Sequence, residues 1–304
     1  MTLAIPTPGT QSGASTDAHA LALTAAELVS CGSLEMNADR AGDARAIAAE
    51  LPVGTRVYVN HLPRHSLAQS LGALVALKEA GLEPVPHIAA RRVESRLALQ
   101  SYLERAVAQA GVSKALVIGG DTASPAGPYA DAAAMLADGA LGEAGIREIG
   151  LPGYPEGHPS IPQPVLARAL ETKLTLAREQ GLGAHVLTQF SFSPGRVIEY
   201  CTELARHAPS VPVYVGLAGP TDPVKLLRYA QRCGVSASLR ALRTQGFGAV
   251  KLVTHTDPSE QVAAIARYCA SHAACNVVGV HLFSFGGVAQ AAAWMHRTIT
   301  VGGA

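Results

Sequence analysis

Charge is scarce in this chain. Only 15% of its 304 residues are Asp, Glu, Lys or Arg, and 24 basic against 23 acidic residues leave a net charge of +1. Such a balance argues against a protein that coats a polyanion, because phosphate binding needs clustered positive charge. Aromatic residues make up 5%, too few for a platform that stacks single-stranded bases. No uninterrupted apolar run approaches the length that crosses a bilayer, so no membrane helix is expected. The N-terminal stretch MTLAIPTPGTQSGASTDAHA has neither a basic region nor an apolar block of signal-peptide length. It reads as a flexible arm over residues 1–26. The five cysteines, Cys31, Cys201, Cys233, Cys269 and Cys275, include no Cys-x-x-Cys pair. That usage suits a reducing cytoplasm with buried thiols.

Apolar residues, by contrast, reach 48%, enough for a large core. From residue 27 onward short Val/Ile/Leu runs alternate with Ala/Leu-rich amphipathic stretches. The runs at 28–36, 56–60, 84–89, 115–118, 148–151, 184–190, 211–216 and 277–283 read as strands. Their continuous apolar character suits parallel strands covered on both faces. Helical patterns lie at 43–51, 67–80, 93–110, 129–141, 163–180, 195–207, 222–233 and 288–298, with extra helical matter at 236–245 and 259–271. Gly81, Gly111, Gly181 and Gly234 follow periodic segments where a left-handed closing residue is wanted. Eight strand–helix units predict an α/β fold: one (β/α)8 TIM barrel over residues 27–304, with extra helices before the last strand. A doubly wound open sheet would want a G-x-G-x-x-G turn after the first strand, and there is none.

In such a barrel the chemistry sits at the C-terminal ends of the strands. The polar residues predicted there are Ser33 and Glu35, Asn60 and His61, His87 followed by Arg91 and Arg92, Gly120 and Asp121, Tyr154 to His158, Gln189, and His281 to Phe285. Glu35 is the most informative, since an unpaired carboxylate in an apolar strand is costly unless used. Asp121 serves equally well as a helix cap. The histidines suggest a metal, but none show the i, i+4 spacing of a helical site and H-E-x-x-H is absent, so no metal is expected. Acyl transfer lacks its G-x-S-x-G elbow.

Taken together, these motifs resemble the methylenetetrahydrofolate reductase family, as a divergent member. The strongest match is the loop Gly153–Pro159, GYPEGHP, followed by Thr188-Gln189-Phe190-x-Phe192. Ser33-Leu34-Glu35, Pro86-His87-Ile88, Gly120-Asp121 and Gly279–Phe283 are similar to further family segments in the same order. The resemblance implies a flavoprotein oxidoreductase of one-carbon metabolism and methionine biosynthesis. NAD(P)H, as co-substrate, would reduce bound FAD, which passes hydride to the methylene carbon of the folate. Glu35 would be the general acid and Asp121 the carboxylate near the flavin, also touching substrate. Gln189 and Phe285 would bind the folate. Asn60, His87, Gly120, Asp121, Tyr129, Tyr154, His158 and Lys173 would line the cofactor. Departures include Gly119 where an Arg is usual, Leu170 near a usual Asp, and Val224 in place of an aromatic.

Other readings stay open: the same chemistry run toward oxidation, a flavin-free variant with direct hydride transfer from NADH, a non-catalytic barrel of one-carbon metabolism, and an unrelated metal-dependent barrel lyase or hydrolase. The expected partners are a folate-type small molecule and further copies of the chain, with no nucleic acid and no membrane.

Overall fold

The computed structural model describes residues 11–61, 67–222, 226, 228, 235 and 257–302. Eight parallel strands close into a barrel in sequence order. They are β1 (Ser33–Asn37), β2 (Arg56–Asn60), β3 (Glu83–Ala89), β4 (Lys114–Ile118), β5 (Glu148–Gly153), β6 (Gly183–Thr188), β7 (Val213–Ala218) and β8 (Val277–Phe283). Closure comes from β8 pairing with β1, Ser33 opposite His281 and Leu34 opposite Leu282. The sequence reading of a (β/α)8 barrel therefore holds.

Described helices surround it: α1 (Gln11–Ser30), α2 (Ala44–Ala48), α3 (Leu67–Glu79), α4 (Arg96–Ala110), α5 (Ala132–Ala137), α6 (Ala140–Glu143), α7 (Gln163–Glu179), α8 (Pro194–His207), α9 (Ser259–Ser271) and α10 (Val288–Gly302). Helix α9 is the predicted extra helix before β8. The helices expected at 222–233 and 236–245 lie largely or wholly outside the described residues, as does Gly234. Gly81, Gly111 and Gly181 adopt positive φ as expected.

Successive strand residues point to opposite faces, and the barrel sorts them cleanly. Leu34, Met36, Val57, Val59, Val117, Ile149, Val186, Val215 and Leu282 face outward into the main core under the helices. Tyr58, Val85, Leu116 and Leu187 face inward, with Ile118, Tyr214 and Phe283 packed against them. The polar inward positions, described below, are the exceptions to this apolar filling.

Several boundaries differ from the sequence reading. The arm expected over residues 1–26 is helical from Gln11 on, and the strand expected from residue 28 begins at Ser33. Leu28 and Val29 are instead the buried end of α1, which packs along α9 and α10. Gly302 permits that approach, because a side chain there would run into Ala26. Helix α4 starts at Arg96 rather than 93, where the Ser95 side chain accepts from the Ala98 N–H at 3.1 Å. The single helix expected at 129–141 is two short ones, broken at Gly139 with φ of 81°. No helix among the described residues is long and apolar enough to cross a membrane.

Candidate active site

Glu35 and Asn60 meet at the C-terminal mouth of the barrel. They project from β1 and β2, whose register sets Asn37 opposite Asn60. Asn60 Nδ2 donates to Glu35 Oε1 at 3.0 Å and to Asn37 Oδ1 at 2.6 Å. Burial raises the Glu35 pKa to about 7, and the bond from Asn60 partly opposes that rise. A carboxyl so placed exchanges its proton near neutral pH, the range in which a general acid is most effective.

Neighbouring imidazoles are held neutral. His87, on β3, is buried, and that burial lowers its pKa to about 3, with His61 adding to the effect. His281, on β8, is pushed well below the usual histidine range, again mainly by burial. Its Nδ1 shares a 2.9 Å hydrogen bond with Ser33 Oγ. Both rings stand edge-on to Tyr58, at 5.9 and 4.9 Å between centroids. Asn60 Oδ1, His87 Nε2 and His281 Nε2 are buried with no hydrogen-bond partner among the described residues. Orphaned polar atoms are costly in a closed core. Those of Asn60 and His87, at the strand ends, are acceptors or donors suited to a ligand.

On the opposite wall Gln189 follows β6, its side-chain Oε1 accepting from the Phe190 N–H at 3.1 Å. Phe190 packs against Phe192, Phe283 and Phe285 at 5.9, 5.5 and 5.1 Å. Phe285, expected to touch substrate, is buried in this aromatic cluster with Leu226 and Val235. It is the one non-glycine with positive φ among the described residues, at 48°, a conformation that costs energy and concentrates at functional sites. Tyr154 and His158 stand together after β5, edge-on at 5.4 Å. Burial lowers the His158 pKa.

Other expected site residues are exposed on its rim or covered by the chain. The Asp121 side chain is 79% exposed on the rim and paired with Arg92 at 2.9 Å. Gly120, with φ of 94°, makes the turn beneath it. Tyr129 and Lys173, assigned by the resemblance to the cofactor, are only 2% and 8% exposed. Tyr129 belongs to the core. Burial lowers the Lys173 pKa, opposed by the charge of Asp131 at the start of α5. FAD therefore fits only in part. The orphaned atoms of Asn60 and His87 suit the polar edge of a flat heterocycle, but Tyr129 and Lys173 are covered by the chain itself and do not fit the remainder.

Two features escaped the sequence reading. Arg91 donates to the carbonyls of Thr122, Ala123 and Ala130, pinning the loop between β4 and α5 that carries Asp121. The Arg91-Arg92 pair right after β3 was its visible signal. Deeper in the lumen, Tyr58 OH meets His185 Nε2 at 3.0 Å and His185 Nδ1 meets Glu148 at 2.7 Å. Lys114 lies 3.7 Å from Glu148 and 2.6 Å from Glu83. Gly150 leaves room for the His185 ring, since a Cβ there would sit 2.8 Å from Nε2. Charged first residues on strands β2 to β5 were the signal for this cluster. Outside the barrel, a groove of about 1290 Å³ separates α7 from α8, reaching the rim at Tyr154 and Pro155. No group of His, Cys, Asp and Glu among the described residues is arranged to hold a metal.

No protein-family model matches the chain. It is similar in structure to dihydropteroate synthase from Thermus thermophilus, with 13% identity over 89% of this chain and 92% of that one and a TM-score of 0.46. Dihydropteroate synthase of Yersinia pestis, solved with a pterine–sulfa conjugate, gives 10% identity, 90% and 95% coverage and a TM-score of 0.43. The GH53 catalytic domain of Ignisphaera aggregans gives 9% identity, 98% and 99% coverage and a TM-score of 0.53. The last shares the barrel fold.

Proposed function

We propose that the chain interconverts 5,10-methylenetetrahydrofolate and 5-methyltetrahydrofolate, with NAD(P)H as the hydride source and Glu35 as general acid. The observation that carries this reading is the Glu35 carboxyl, partly buried at the mouth, gripped by Asn60 and titrating near pH 7. Opening the five-membered ring of the folate expels a nitrogen, which leaves slowly unless it is protonated. Glu35 supplies that proton, and hydride from the nicotinamide reaches the methylene carbon. Gln189 suits the pterin edge, since an amide both donates and accepts. The phenylalanine cluster gives the ring system an apolar wall.

FAD is the hydride carrier that the resemblance implies. The burial of Tyr129 and Lys173 favours a second reading, in which the nicotinamide gives hydride to the folate directly. One preparation tests both levels. Oxidation of NADH or NADPH should depend on methylenetetrahydrofolate and yield 5-methyltetrahydrofolate. The visible spectrum of the same sample, and of a sample incubated with FAD, separates the two carriers. Absence of folate-dependent turnover with either nicotinamide, with and without added FAD, would reject the reductase reading altogether.

A further inference from the structure

Cys269 lies in the last turn of α9, and Cys275 lies just before β8. Their sulfurs are 3.1 Å apart, about 1 Å longer than a disulfide bond. Both residues are partly buried, and the connecting residues His272, Ala273 and Ala274 are exposed, so small reagents reach the pair. We propose that Cys269 and Cys275 are a redox modification site that closes reversibly into an intramolecular disulfide.

The two thiols have unequal roles. Cys275 is the better thiolate: its hydrogen bond with Cys269 lowers its pKa, and the Val277 backbone N–H and the charge of His272 add to that, against the opposing effect of burial. Cys269 is pushed the other way by the same contact. The nearby Cys201 is buried, which raises its thiol to about 12 and leaves it inert.

The oxidant is a low-molecular-weight disulfide such as oxidised glutathione. The Cys275 thiolate attacks one of its sulfurs, breaking that S–S bond and releasing the first glutathione thiolate. Cys269 then loses its proton and attacks Cys275 Sγ, expelling the second. Two cysteine thiols are oxidised by two electrons, one glutathione disulfide is reduced to two thiols, and the two cysteine protons end on those thiols. In a reducing compartment such a bridge is transient and senses redox state rather than bracing the fold.

The position gives the bridge something to act on. Asn276 follows Cys275 directly, its Nδ2 donating to the Val211 carbonyl at 3.0 Å and its own carbonyl accepting from the Val213 N–H at 2.8 Å. These bonds begin the pairing of β7 with β8. Closure ties the end of α9 to that start, at the N-terminal end of the barrel and away from the mouth.

The test uses the full chain incubated with oxidised glutathione, alkylated and digested with trypsin. Residues 268–297 form one tryptic peptide holding both cysteines and no others. Its mass should fall by two hydrogen atoms and return after reduction with dithiothreitol. In Cys269→Ser the intermediate should be caught as a glutathione adduct on Cys275, and in Cys275→Ser the bridge should be absent. An unchanged wild-type peptide, in a sample where the exposed Cys31 has taken up glutathione, overturns the proposal without relying on either variant. So does a bridge from Cys275 to Cys201.

Discussion

Glu35 and Glu148 both stand on strands of the same barrel, yet their pKa values shift in opposite directions. Glu148, at the base of β5, accepts a hydrogen bond from His185, and Lys114 and Arg56 add favourable charge; its pKa falls despite partial burial. Glu35, at the top of β1, accepts from the neutral Asn60 amide, and burial lifts it to about 7. Both are glutamates on barrel strands; the partners differ. A carboxylate locked to an imidazole and an ammonium fills and orders the lumen. One held by a neutral amide keeps a proton to give. On the proposed function, the chemistry belongs at the mouth and the lower network is architecture.

Replacement of the two acids tests this contrast most severely. Glu35→Gln keeps size and hydrogen-bonding reach but cannot release a proton. Folate turnover should fall by about 10²–10⁴-fold, the usual worth of a general acid, while the far-ultraviolet circular dichroism spectrum stays that of the wild type. Glu148→Gln should do the reverse, lowering the melting temperature with turnover per folded molecule within several-fold. A Glu148→Gln variant that folds normally and has lost turnover would erase the distinction.

The same pair predicts opposite pH dependences of stability. Glu35 has a raised folded pKa, so its contribution is fully present below the unfolded value of 4.5 and is lost as pH rises through about 7. The loss amounts to about 3 kcal/mol. Urea melts of wild type should weaken across that window, and Glu35→Gln should be flat there. Glu148 has a lowered folded pKa, so its stability is present above the usual carboxylate range and disappears as pH falls through the folded value. Removing it should abolish that acid-side loss. Identical pH profiles for wild type and Glu35→Gln between pH 4.5 and 7 would mean that Glu35 is solvated in the folded protein.

The mouth was more legible in the sequence than the lumen, for physical reasons. A glutamate within an apolar strand stands out locally, and so do asparagine and histidine at strand ends. The barrel followed from the repeated alternation of apolar runs and helical periods, because each unit carries its own pattern. What failed needed tertiary partners. Helix α1 is rich in Ala and small polar residues, and few side chains, chiefly Leu21, Leu28 and Val29, anchor it, so its packing on α9 and α10 left little trace. The burial of Lys173 arises because α7 lies against α5, which spacing along the chain does not encode. The Glu148–His185–Tyr58 relay joins three strands far apart in sequence and is visible only once the barrel closes.

Asn60 offers a finer test of the mouth. The resemblance sets it against a flavin, whereas its Nδ2 is committed to Glu35 and Asn37. Asn60→Leu removes the donor that stabilises the Glu35 carboxylate, so the pKa should rise further. The alkaline limb of the pH–rate profile should move up by about one pH unit, the worth of a hydrogen bond to a charged group. A weaker affinity for flavin or folate with an unmoved limb would instead return Asn60 to a ligand-binding role.

Asp121 should give the smallest effect on the fold and the sharpest reading of the rim. Its carboxylate is largely in water and paired with Arg92, which also donates to the His61 carbonyl. An exposed pair of this kind is worth under about 1 kcal/mol, so Asp121→Asn should barely move a denaturant midpoint. Arg91 holds the loop independently, and the backbone around residue 121 should stay in place. Any change in turnover then reports the charge itself. A loss of about tenfold, or ~1.4 kcal/mol in the barrier, with stability unchanged would place Asp121 beside the reacting ring, held there by Arg92. Arg92→Met should then cost a similar factor, because it frees the carboxylate from its anchor without removing it. Turnover unchanged in both variants would leave Asp121 as a surface ion pair and confine the chemistry to Glu35 and its immediate neighbours.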